Sequence, residues 1–91
     1  MKYRELRDLV YNVAKELSGR GPGWAQQKAV LWEVMNRQNA SGDEKLEQQI
    51  LTCWHDLFRI GRLSWGYNID NPDAPFYHIP NPDAERDREA K

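Results

Sequence analysis

The run from Leu46 to Tyr67, LEQQILTCWHDLFRIGRLSWGY, changes its period in the middle. Leu46, Ile50, Cys53, Leu57 and Ile60 recur at spacings of four and three, which places them on one stripe of a helix. Leu51, Trp54 and Phe58 broaden that stripe, so other elements must cover it. Gly61 stands where a helix end needs a left-handed residue at little cost. Beyond it, Leu63, Trp65, Tyr67 and Ile69 alternate with Arg62, Ser64, Gly66 and Asn68, a period of two that reads as a strand. A helix over 43–60 thus hands over directly to a strand over 62–68.

Upstream, Tyr3, Leu6, Leu9, Val10, Val13 and Leu17 predict a first helix over 3–17, with Arg4, Arg7, Asp8, Asn12 and Lys15 outside. The segment Ser18-Gly19-Arg20-Gly21-Pro22-Gly23 breaks that pattern. Glycine-rich turns before a helix bind anions, but this one lacks the spacing and Lys-Ser/Thr ending of a P-loop. It reads as a connection. A second helix is predicted over 24–38, with Trp24, Leu31, Val34 and Met35 inward and Val30 and Trp32 flanking. No strand is read between these two helices. Ser41 followed by Glu44 fits a capping box for the third helix, with Asp43 as a rival N-cap.

Downstream, Asp70-Asn71-Pro72-Asp73-Ala74-Pro75 is dense in turn formers, and 76–79 returns as a second strand ended by Pro80. A lone hairpin is marginal in water, so its aromatic face must lie on the helices. Asn71-Pro72-Asp73-Ala74 recurs as Asn81-Pro82-Asp83-Ala84, two turns of the same chemistry. Residues 81–91 alternate acid and base without an apolar stripe and read as a flexible tail. The expected fold class is α+β: one domain over 1–80, three helices followed by a two-stranded β-hairpin.

Ninety-one residues with four Trp and four Tyr can bury a core without covalent staples. The formal charge of -1 and pI of about 6.1 argue against a dedicated non-specific nucleic-acid binder, which is strongly basic. The charge is uneven, however. Residues 1–42 hold seven Lys or Arg against four acids, and residues 68–91 hold three against six. The single cysteine, Cys53, allows no disulfide within one chain and points to a reducing compartment. With no apolar run of membrane-spanning length and no signal-peptide core, a soluble cytoplasmic protein is expected.

The exit from the third helix, Leu57-Phe58-Arg59-Ile60-Gly61-Arg62-Leu63, resembles the winged helix-turn-helix superfamily. So do Trp65-Gly66-Tyr67-Asn68 and Asn71-Pro72-Asp73-Ala74-Pro75-Phe76-Tyr77, which would form the wing. Third helix and wing cover about a third of the chain, and the helix count extends the match to residue 80. A long second helix and the missing strand depart from that pattern, leaving a three-helix bundle with an appended hairpin as the other architecture. The resemblance implies a third helix that enters the major groove of DNA and a wing that touches the backbone. It also admits domains of this shape that bind proteins.

Opposite the apolar stripe of the third helix lie Lys45, Gln48, Thr52, His55 and Arg59, with Gln49 beside them. These types hydrogen-bond to base edges or phosphates, and Arg62 joins them from the strand. Glu44, Glu47 and Asp56 have the wrong sign for phosphate, so a solvated or protein-facing surface is the competing reading. In the wing, Tyr67, Asn68, Asn71 and His78 offer hydrogen bonds, whereas Asp70 and Asp73 oppose a phosphate. Trp65, Tyr67, Phe76 and Tyr77 are candidates for a partner-binding patch, because aromatic rings anchor interfaces.

Catalysis has little support. His55 and Asp56 diverge as helix neighbours, Cys53 lies on the apolar stripe, and two His with one Cys match no compact zinc spacing. No cofactor signature is visible. The expected job is binding without an enzymatic step: double-stranded DNA, contacted by a homodimer because a single module of low charge binds weakly. The alternative is a protein-interaction module, such as a regulatory or phage-type accessory factor.

Overall fold

A computed structural model describes residues 2–39 and 42–80. Ser41 as a cap, the second Asn-Pro-Asp-Ala turn and the charged tail lie outside the described residues. The elements run α1 (Tyr3–Arg20), β1 (Trp24–Gln26), α2 (Gln27–Arg37), α3 (Glu44–Arg59), β2 (Ser64–Trp65) and β3 (Phe76–His78). The domain is α+β, with three helices against one antiparallel three-stranded sheet in the order β1-β3-β2.

The expected two-stranded hairpin is therefore corrected by a third strand, and the predicted second helix surrenders its first three residues to it. Gly23, at φ 101°, turns the chain after α1, and Trp24, Ala25 and Gln26 then pair with His78, Tyr77 and Phe76. Two gains outweigh a longer helix here. The ladder satisfies the backbone, and the Trp24 ring stacks on Tyr67 at 3.9 Å between centroids while meeting Phe76 edge-on. Gln27 begins α2 with its N–H donated to the Pro75 carbonyl at 2.8 Å. α1 also runs past the expected stop to Arg20, since Gly19 is tolerated in the last turn and the break falls at Gly21-Pro22.

The strand expected over 62–68 is ordered as a ladder only at Ser64 and Trp65, paired with His78 and Tyr77. Gly66, at φ 85°, ends it, and a Cβ there would lie 2.5 Å from the Pro72 backbone. The period-two pattern fails beyond that kink. Ile69 does not continue the buried face; it stands 92% exposed at the loop tip.

The core joins Leu6, Val10, Val13 and Ala14 of α1 to Val30 and Val34 of α2. Ile50, Cys53, Trp54 and Leu57 of α3 complete it, with Leu63 and Tyr77 from the sheet side. The inward stripe of α2 is thus Val30–Val34, rotated from the expected one, and Trp32 points to solvent at 61% exposure. Trp54 is the hub. Its indole N–H donates to Gln27 Oε1 at 2.8 Å, and Phe58, Trp65 and Tyr77 meet the ring edge-on at 5.1, 6.1 and 5.2 Å.

Both ends of α3 follow from local chemistry. The Asp43 carboxylate accepts the Leu46 N–H at 3.1 Å, so the rival cap is the one used. At the other end Gly61 adopts φ 84°, as expected from its position. Its N–H donates to the Phe58 carbonyl at 3.1 Å and that of Arg62 to the Leu57 carbonyl at 2.8 Å, a Schellman closure. The third helix therefore delivers the chain directly to the sheet.

Candidate functional site

A helix whose core stripe is Ile50, Cys53, Trp54 and Leu57 must present the opposite side outward. On α3 that side is a crest of Lys45, Gln48, Thr52, His55 and Arg59, all exposed, with Gln49 exposed on the flank toward α1. The crest is continuous along the helix, one residue per turn or closer. The Thr52 hydroxyl donates to the Gln48 carbonyl at 2.9 Å, so its remaining capacity toward a ligand is as an acceptor.

Asp56 modifies the C-terminal end of this crest. Its two carboxylate oxygens take the Arg59 guanidinium and the Tyr3 hydroxyl, tying the start of α1 to the end of α3. That hydrogen bond to Asp56 raises the Tyr3 phenol above its ordinary pKa. Arg59 thus faces outward with its charge partly matched. The Asp56–Arg59 pair follows from a helical spacing of three, whereas the sequence offers no direct sign of the Tyr3 contact, 53 positions away.

Arg62 stands apart from the crest, half-buried, with its guanidinium 5.5 Å from the Tyr11 ring centroid. In the loop between β2 and β3, Asn68 and Asn71 serve one another. The Asn71 N–H and side-chain amide both donate to Asn68 Oδ1, at 2.8 and 3.0 Å. His78 donates from Nδ1 to the Gly66 carbonyl at 2.6 Å. No Lys or Arg occurs between Leu63 and Pro80, so this loop offers a duplex no cation.

The four candidate partner-binding rings are not one exposed patch. Tyr77 is fully buried, and its hydroxyl donates to the Ala14 carbonyl at 2.8 Å; it is a core residue. Burial pushes its phenol far above the ordinary tyrosine value. Trp65 stacks on Phe58 at 4.1 Å, and Tyr67 and Phe76 pack on Trp24, all half-buried. The alternating strand pattern does not distinguish rings that face helices from rings that face water.

Exposed apolar surface lies elsewhere. Between α2 and α3 a groove of about 220 Å³ is lined by Leu31, Trp32, Met35, Ile50 and Leu51, together with Lys28 and Glu47. A hollow of about 170 Å³ on the other flank of α3 touches Tyr3, Leu6, Gln49, Thr52 and Cys53. Cys53 itself is buried and its thiol is pushed up by desolvation, so it is a poor nucleophile. Among the described residues no three His, Cys, Asp or Glu side chains converge as a metal site. No described helix is long and apolar enough to cross a membrane.

No protein-family model, curated protein or solved structure matches the chain.

Proposed function

We propose that the chain is a winged-helix domain that binds double-stranded DNA through the crest of α3. One observation carries this reading: a strand, β1, between the first two helices, with the sheet order β1-β3-β2. A strand at that place is what the sequence pattern lacks for the resemblance. In that arrangement α3 is the presented helix, and the loop of residues 66–75 is the wing.

The residue types along the crest support the same conclusion. Gln48 and Arg59 offer the bidentate groups that read adenine and guanine edges, while Lys45, Thr52 and His55 suit the flanking phosphates. The wing contributes shape and hydrogen bonds without positive charge. Affinity therefore rests on few phosphate contacts, which makes the binding weak at physiological salt and dependent on base contacts.

Selection from a random duplex library at low ionic strength tests the proposal. Enrichment of a short motif, lost when Gln48, Thr52 and Arg59 are replaced together by Ala, is the expected result. A library that stays unenriched would refute it.

The competing reading, a protein-facing module, finds no support in the hairpin rings, since Tyr77 is buried and the others are stacked within the domain. It finds some in the α2–α3 groove, where Trp32 is exposed.

A further inference from the structure

The α2–α3 groove carries a plug, a socket and both signs of charge on one patch. Small-molecule pockets run to about 300–1,000 Å³, so a groove of about 220 Å³ suits protein side chains instead. One wall of it is Trp32, 61% exposed, the kind of residue that anchors interfaces. Lys28 and Glu47 flank the apolar lining, and among the described residues neither has an ion-pair partner.

We propose that the occupant of this groove is a second copy of the chain, docked about a two-fold axis. A two-fold interface uses the same patch on both partners, so the patch must complement itself. This one does. Each Trp32 seats against the groove of the other copy, and each Lys28 faces the other copy's Glu47. A rim of a single charge sign would repel its own copy; this rim carries one of each.

The dimer has a consequence for α3. Leu51 lies three and four positions from Gln48 and His55, so a copy seated on the α2 flank covers one edge of the crest. Self-association then competes with duplex binding, unlike a dimer that sets two crests side by side. The inference rests on the groove and not on DNA binding, and either can fail without the other.

Sedimentation of the whole chain from about 10 µM to about 1 mM, spanning the range of weak dimers, is the test. A monomer–dimer equilibrium is expected. Trp32→Ala should weaken it at least about tenfold, with the circular dichroism unchanged because the ring is exposed. Lys28→Glu and Glu47→Lys should each weaken it, and the double reversal should restore it to within about threefold of the original. A monomer throughout, a dimer indifferent to Trp32→Ala, or a double reversal that restores nothing would each overturn the proposal.

Discussion

At Tyr77 two demands meet: a ring that packs on Trp54 and a hydroxyl that needs a partner inside the core. The Ala14 carbonyl supplies it, so Tyr77→Phe should cost about 1 kcal/mol in chemical denaturation. Burial raises the folded-state phenol pKa, so stability from Tyr77 is fully present below the ordinary tyrosine value. It declines as pH rises above about 10, where the unfolded chain ionises first. Denaturation between neutral and alkaline pH should show this slope, and Tyr77→Phe should flatten it. Gly66 makes the opposite point about size. With φ at 85° and Pro72 backbone 2.5 Å from a would-be Cβ, Gly66→Ala should cost more than about 1–3 kcal/mol, read by the same denaturation. Asp56 is the residue that restrains the crest. Asp56→Ala removes a negative charge and frees Arg59, so it should tighten DNA about threefold to tenfold in a titration at low salt.

Element by element, legibility follows how local the deciding interactions are. α3 was readable because its stripe, its Gly61 closure and its departure into the sheet are all set by residues within a few positions of one another. β1 was not. Its three residues earn their strand only by pairing with β3, some fifty positions later, and by the stack of Trp24 on Tyr67. The stripe of α2 shifts in part for the same reason: with Trp24 outside the helix, Val34 stays inward as expected, Val30 joins it, Leu31 and Met35 are only partly buried, and Trp32 turns out to solvent. The crest residues were legible from helical spacing alone. The tie from Asp56 to Tyr3 and the groove lined by Trp32 were not, because each needs two elements brought together; the Asp56–Arg59 pair lies within α3 at a spacing of three. α1 and α2 are also joined at the surface, where Glu16 accepts from Arg37 at 2.8 Å. That bond holds the Glu16 carboxyl below the usual carboxylate range, so its contribution is present at neutral pH and lost as pH falls through the lowered value. Exposed ion pairs of this kind are screened, and added salt should erase the effect in acid denaturation.

For the molecule as a whole, a formal charge of -1 sets the terms of any encounter with DNA. Long-range attraction is small, and the crest offers only Lys45, His55 and Arg59 as bases. The most direct measurement is the salt dependence of duplex binding followed by fluorescence anisotropy, for the wild type and for the triple Gln48→Ala, Thr52→Ala, Arg59→Ala variant. Each phosphate contact contributes a slope of about -0.9 in log affinity against log salt. The expected outcome is binding at low salt with a slope of about -2 to -3, and at least a tenfold or so loss in the variant. A chain that holds no duplex at the lowest ionic strength, or a variant that binds as tightly as its parent, would contradict the assignment of α3 as the reading helix.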